Sequence, residues 1–246
     1  MILVENPGSN TFEFQDLSKI IKIAKKKKIL TFLDNTWGTP LYLKPLNLGF
    51  DLSFTSATKY YSGHSDAMGG SLAVNKKVFE KVMFFYKLSG YRMSADEAYL
   101  IIRGLRTLDI RLKKHYENTK IVINFLKKQK KIKEILYPHN PSSKNYKLWK
   151  KYYSGANGLL SIVIKNKKRS PVVKFVNSLE LFGIGYSWGG FESLVLLQDL
   201  KTNTKYTQSR QYFRFAKDEH IVRLHIGLED PKDLIEDLKK SLKHIK

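Results

Sequence analysis

The run Phe50-Asp51-Leu52-Ser53-Phe54-Thr55-Ser56-Ala57-Thr58-Lys59-Tyr60-Tyr61-Ser62-Gly63-His64 decides the fold, together with Leu30-Thr31-Phe32-Leu33-Asp34-Asn35-Thr36-Trp37 just ahead of it. Each is a short apolar, β-prone run that ends in polar residues. Buried strands of an α/β sheet deliver groups to a ligand-binding rim in this way. On that reading Lys59 and Asp34 stand near one another at adjacent strand ends. An amine and a carboxylate so placed suit pyridoxal phosphate, the amine to form a Schiff base and the acid to keep the pyridine nitrogen protonated. Ser56 and Thr58 offer hydroxyls for its phosphate. Spacing alone leaves the plainer readings open. A lysine after a strand is usually a solvated charge, and an aspartate at a strand end is usually a turn former or a cap.

Around these runs the chain alternates. Ile2-Leu3-Val4 reads as the tail of a buried strand, with Glu5-Asn6-Pro7-Gly8-Ser9 as the turn after it. Asp16 caps a helix with Leu17, Ile20, Ile21 and Ala24 on one face, and the strand from Ile29 to Leu33 follows. Strand, helix, strand in that order predicts a mainly parallel sheet with right-handed crossovers. A further strand is expected over 71–74 and a short helix over 78–85. The capping box Ser94-Ala95-Asp96-Glu97 opens a predicted helix with Tyr99, Ile102, Leu105, Leu108 and Leu112 on one face, a long connection to a second domain.

Composition shifts near Tyr116, and the chain divides on this reading into 1–115 and 116–246. The second part is expected to hold a lysine-rich helix over 119–128, a Pro/Asn/Ser loop over 138–145 and a strand over 159–164. A helix is expected from Ser170-Pro171 to a glycine stop at Phe182-Gly183. Along 221–226, Val222, Leu224 and Ile226 share one strand face, with Ile221, Arg223 and His225 on the other. A last helix, capped at Asp230, carries a stripe of Leu234, Leu238 and Leu242. This reads as a smaller α/β domain.

The 246 residues contain no cysteine, which excludes disulfides, thiolate catalysis and cysteine metal ligands. The six histidines show no metal-ligand spacing, so no metal is expected. No apolar run approaches the roughly 20 residues that span a bilayer, and the first residues lack signal-peptide character. A cytoplasmic location without membrane association is the expectation. The formal net charge of +22 raises nucleic acid as a partner. Its lysines, however, lie in runs such as Lys25-Lys26-Lys27-Lys28 on amphipathic helices, without interleaved aromatics, and read as solvated faces. No nucleic acid is expected.

The motifs Asp34-Asn35-Thr36-Trp37, Ser56-Ala57-Thr58-Lys59-Tyr60 and Gly63-His64-Ser65-Asp66 resemble the cofactor region of the Cys/Met-metabolism pyridoxal-phosphate enzymes. The resemblance runs on through Arg103-Gly104-Leu105-Arg106-Thr107-Leu108, Ser187-Trp188-Gly189-Gly190-Phe191-Glu192-Ser193-Leu194 and Arg223-Leu224-His225-Ile226-Gly227-Leu228-Glu229. It implies the C-terminal half of a fold-type I large domain, mainly parallel sheet with helices, followed by a smaller α/β C-terminal domain. In that family an N-terminal arm and the first half of the cofactor domain precede the point matching Ile2. These carry the glycine-rich phosphate loop and a tyrosine that stacks on the cofactor, so a fragment or a truncated gene is expected here.

The resemblance implies pyridoxal 5′-phosphate as cofactor and assigns roles residue by residue. Lys59 is the cofactor lysine and the base for the Cα proton, Asp34 the partner of the pyridine nitrogen, and Ser56 and Thr58 phosphate ligands. Arg223 grips the substrate α-carboxylate, with Ser187, Trp188 and Tyr186 beside it. Where γ-acting relatives tend to carry glutamate and leucine, this chain has Tyr186 and Trp188. That implies a β-eliminating carbon–sulfur lyase acting on a small thioether amino acid. Rival readings are a γ-acting relative and an inactive fragment that binds partners through its basic surface. His64 and Asp66 are expected to shape the loop after the lysine. The family also implies a homo-oligomer, dimer or tetramer, or a complement with a missing N-terminal half.

Overall fold

A computed structural model of the chain describes residues 1–198, 215–216 and 218–245. Four strands form the first sheet in the order β1 (Ile2–Glu5), β2 (Thr31–Asp34), β3 (Leu52–Ser56) and β4 (Gly70–Val74). The first three are parallel, with Glu5 opposite Asp34 and Asp34 opposite Phe54, while β4 returns antiparallel to β3. The parallel pairing follows from the crossovers. Helix α1 (Leu17–Lys26), capped by the Asp16 carboxylate accepting from Lys19 N, buries Leu17, Ile21 and Ala24 on its way to β2. Two short helices, α2 (Thr39–Tyr42) and α3 (Pro45–Leu48), lead into β3. Only Val4 of the predicted buried strand 2–4 is fully covered. With β1 at the sheet edge, Leu3 stays 67% exposed.

After β3 the chain makes a π-helical turn over Ala57–Tyr61, and helix α4 (Lys76–Ser89) follows β4. The long helix expected from residue 94 is two helices, α5 (Ala95–Leu105) and α6 (Leu108–Leu126), broken at Arg106-Thr107. Tyr99, Ile102 and Leu105 are accordingly exposed, while Leu108 and Leu112 are buried. Gly104 explains the break. A Cβ at that position would stand 2.2 Å from Ser62 O and 2.3 Å from Tyr61 O, so α5 ends pressed on the turn that follows Lys59. The helix expected over 119–128 is the second half of α6, which runs on past the expected division at 115/116.

The second sheet has the order β5 (Ile132–Leu136), β6 (Leu159–Lys165), β9 (Glu219–His225), β8 (Leu194–Leu197), β7 (Gly183–Ile184), and all but the β7–β8 pair are antiparallel. Helix α7 (Tyr146–Tyr152) precedes β6. Helix α8 (Ser170–Asn177) stops five residues short of the glycine expected to end it, and Gly183 instead opens β7. Helix α9 (Pro231–Ser241) buries Leu234 and Leu238 of the predicted leucine stripe, while Leu242 is buried in the 3₁₀ turn that follows it. One core joins Leu33 and Phe50 of the first half to Leu160, Ile162, Val222 and Leu224 of the second. Central strands β6 and β9 are covered on both faces, so their side chains are buried along almost their whole length. Among the described residues no helix is long and apolar enough to cross a membrane.

Candidate active site

Parallel pairing brings the ends of β2 and β3 side by side, and there the first half of the site assembles. Asp34 Oδ1 accepts from Thr36 N at 2.9 Å and from Thr36 Oγ1 at 2.5 Å. Thr36 Oγ1 in turn accepts from Ser56 N at 2.9 Å. Thr36 therefore ties the two strand ends together and fixes the carboxylate. The sequence alone gave it no role of its own, although its place two residues after the strand-end Asp34 was the available signal.

Lys59 follows in the π-helical turn, half-buried. Its amine donates to Ser187 Oγ at 2.6 Å and lies 5.6 Å from the centre of the Trp188 ring. Burial, and behind it the positive charge of Arg223, hold the Lys59 amine below the usual lysine pKa. A larger share of neutral, nucleophilic amine results. Beneath it Tyr60 is buried, its ring against those of Trp188, His115 and His225 at centroid distances of 5.5, 5.5 and 5.9 Å. Arg111 of α6 ties the turn to the α5–α6 junction, donating to Tyr61 O at 3.4 Å, to Gly104 O at 2.7 Å and to Thr107 Oγ1 at 3.0 Å.

Strand β9 supplies the other wall. Arg223 is buried on the face predicted for it, donates to Asn10 Oδ1 at 3.1 Å and to the Tyr186 carbonyl, and lies 5.3 Å from the Tyr186 ring. The structure thus brings Asp34, Ser56, Lys59, Tyr186, Trp188 and Arg223 to one cleft of about 210 Å³, floored by Trp37, Phe12 and Leu159. Ser187 joins through its bond to Lys59. Thr58 does not line the cleft, since its hydroxyl accepts from Gly69 N at 3.0 Å. His64 and Asp66 are exposed outside it, with His64 Nδ1 2.6 Å from Ser62 O. Glu5 and Ser9, hydrogen-bonded to each other, also line the cleft, and the sequence reading had placed them only in a turn.

A larger cleft of about 470 Å³ opens between α6, β5 and residues 140–145, but none of the candidate residues lines it. Among the described residues no three His, Asp or Glu side chains gather as a metal site. The donor set fits a pyridoxal phosphate: a desolvated amine for its aldehyde, a strand-end carboxylate for its ring nitrogen and the Ser56 hydroxyl for its phosphate, all facing one space.

The sequence profile of the family described as Cys/Met metabolism PLP-dependent enzymes matches residues 1–243. The chain is 39% identical to the L-alanine/L-glutamate racemase of Wolbachia pipientis wMel, over 98% of this chain and 59% of that protein. It is 36% identical to the cystathionine β-lyase MetC of Escherichia coli (strain K12), over 97% of this chain and 60% of that protein. The structure of cystathionine γ-synthase from Xanthomonas oryzae pv. oryzae in complex with cystathionine superposes with a TM-score of 0.87 at 30% identity. That match covers 99% of this chain and 62% of that one. The chain spans about three fifths of the length of the curated relatives it matches.

Proposed function

The chain belongs to the Cys/Met metabolism PLP-dependent enzyme family, and from that premise we propose that it forms the lysine-bearing part of a carbon–sulfur lyase that eliminates the Cβ substituent of L-cystathionine. Homocysteine, pyruvate and ammonia would be the products. The observation that carries this reading is the single cleft onto which Lys59, Asp34, Ser56 and Arg223 open. Pyridoxal 5′-phosphate, when bound, supplies an electron sink for the pair left on Cα. Asp34, oriented by Thr36, holds the proton of the ring nitrogen. Ser56 takes the phosphate, because Thr58 would first have to release Gly69.

The Lys59 amine, kept partly neutral by burial, takes the proton from Cα. Arg223 presents two parallel donors to the α-carboxylate, which fixes the Cα–H bond relative to Lys59. Ser187 accepts from the Lys59 amine when that amine is free of the cofactor and steers its lone pair. Tyr186 and Trp188 wall the side where the thioether leaves, and their presence supports Cβ chemistry over the γ-acting alternative. We also propose that residues 1–115 are the C-terminal part of the cofactor-binding domain and 116–246 a smaller C-terminal domain. The active assembly is proposed to be a homo-oligomer, or a complex with polypeptide that supplies the rest of the relatives' length. The apolar face of α4 supports association, with Phe84 70%, Phe85 63% and Leu88 74% exposed.

Identity to a racemase supports a second reading, in which Lys59 removes the same Cα proton and a proton returns to the opposite face. Product analysis separates the two. The purified chain with pyridoxal phosphate is given L-cystathionine and, separately, L-alanine and L-glutamate. Pyruvate with free thiol is the expected result. 2-Oxobutyrate would move the reaction to Cγ, and D-amino acid without pyruvate would replace elimination by racemisation.

A further inference from the structure

Residues 185–193 form neither helix nor strand, yet this turn meets Lys59 three times. Ser187 Oγ accepts from the amine, Trp188 lies beside it, and Gly189 passes directly over the backbone. Gly189 has φ +92°, and a Cβ there would stand 2.9 Å from Tyr60 N and 3.1 Å from Lys59 Cα. Position 189 therefore requires glycine twice over, for its dihedral and for its closeness. A small outward movement of Gly189 would release the hydroxyl and the indole from Lys59 together.

Strand β9 holds the turn in. Nε2 of His225, 1% exposed, lies 3.1 Å from Gly189 N, a donor, and 3.1 Å from Gly190 O, an acceptor. Two residues earlier on the same strand face, Arg223 donates to the Tyr186 carbonyl. The imidazole has no freedom to turn away. His115 lies 5.0 Å from it and Tyr60 5.9 Å, and a Cβ on Gly158 would touch it at 3.2 Å. Burial, His115, Arg223 and Lys59 all disfavour a charge on this ring, which stays neutral. A neutral ring carries one N–H, so Nε2 either accepts from Gly189 N or donates to Gly190 O, and with Nδ1 buried without a partner the second is favoured; either bond ties the ring to the turn.

We propose that His225 is a positioning residue whose Nε2, bonded to the Gly189–Gly190 backbone, holds Ser187 and Trp188 against Lys59. Its bearing on catalysis rests on the lyase reading, whereas the contact itself does not. The role asks for a hydrogen-bonding group of this reach, not for an acid or base. Leucine at 225 fills similar space and leaves a buried backbone group of residues 189–190 unpaired, which costs more than the bond contributed. Glutamine restores a donor and an acceptor at about the same distance from the backbone.

The test uses the chain labelled with 5-fluorotryptophan, whose three ¹⁹F resonances belong to Trp37, Trp149 and Trp188, the last assigned with Trp188→Phe. His225→Leu is expected to move or broaden the Trp188 resonance and leave the other two in place. In parallel, pyridoxal phosphate fixed on Lys59 by borohydride, quantified by peptide mass, falls roughly three- to tenfold. His225→Gln brings both readouts back toward wild type. An unchanged Trp188 resonance and Lys59 adduct in the leucine variant overturns the proposal, as does a glutamine variant that behaves like leucine. Should the leucine variant lose all three resonances, ¹⁵N spectra of the wild-type histidines decide. A hydrogen-bonded Nε2 on His225 supports the role, and one with the shift of a solvent-exposed imidazole ends it. The ¹⁹F and ¹⁵N measurements need no turnover, so a failure of the lyase assay leaves them readable.

Discussion

The two walls of the cleft are built in opposite ways. The wall with Asp34, Ser56 and Lys59 comes from the tips of two adjacent parallel strands, and its groups lie within 26 residues of sequence. The wall with Tyr186, Ser187, Trp188 and Arg223 pairs an irregular turn with a buried antiparallel strand, and its contacts join residues 36 or 37 positions apart. The first wall is held by backbone pairing and by one threonine. The second depends on side chains that reach across from β9. A parallel sheet rim presents groups almost regardless of what stands behind them, whereas a turn without its own hydrogen-bond ladder must be gripped.

That difference sets the size of what substitutions should do. The largest effect belongs to the first wall. Lys59→Ala is expected to abolish the borohydride-fixed adduct at this position altogether, while Arg223→Gln retains it. Peptide mass spectrometry of both variants checks this. An adduct of equal yield on the alanine variant, carried by one of the many other lysines, would remove Lys59 from the centre of the site.

Smaller, and acting from outside the cleft, is Gly104→Ala. The methyl group would meet two backbone carbonyls of the turn after Lys59, Ser62 O at 2.2 Å and Tyr61 O at 2.3 Å, and backbone cannot yield as a flexible side chain can. The expected loss is about 1–3 kcal/mol of stability in urea unfolding, with a reduced Lys59 adduct in the folded protein. A neutral result would show that α5 can lift from the turn without cost, and that the first wall is less rigid than the second.

What the sequence made legible follows the same division. Asp34 and Lys59 line one cleft, and their nearness could be expected because short β-prone runs ending in polar residues mark neighbouring strand ends. The cap at Asp230 and the strand along β9 were equally local, and both are present, although Leu242 of the stripe and Ile226 of the strand face fall just past the ends of α9 and β9. The helix break at Arg106-Thr107 was not visible, since the apolar period continues across it. Only the contact of Gly104 with residues 61–62 shows why the chain must bend. Helix α8 ends early for a similar reason: the backbone N–H groups of Glu180 and Leu181 are taken by the Asp237 carboxylate of α9, a partner more than fifty positions away. Thr36 and His225 hold the site through bonds whose partners no pattern of hydrophobicity announces.

The smallest predicted effect tests whether the walls communicate. Arg223 is the second cause, after burial, of the lowered pKa of Lys59, because a nearby positive charge disfavours the ammonium form. Trapping by pyridoxal phosphate needs the neutral amine, so its rate rises with pH and reaches half its maximum at the pKa of Lys59. In wild type that midpoint should lie below the ordinary lysine range. Arg223→Gln removes the like charge, raises the pKa and moves the midpoint to higher pH, leaving the plateau rate unchanged. The shift is modest because desolvation, which the substitution leaves in place, is the larger cause. Measuring the trapping rate against pH in both proteins gives its sign directly. A midpoint that stays put would mean that solvent screens the guanidinium from the amine and that the walls share a cleft without sharing a field. A midpoint that moves down would mean that Arg223 holds the turn in a position that keeps Lys59 wet, and burial would then have to be reassigned as a consequence of the second wall.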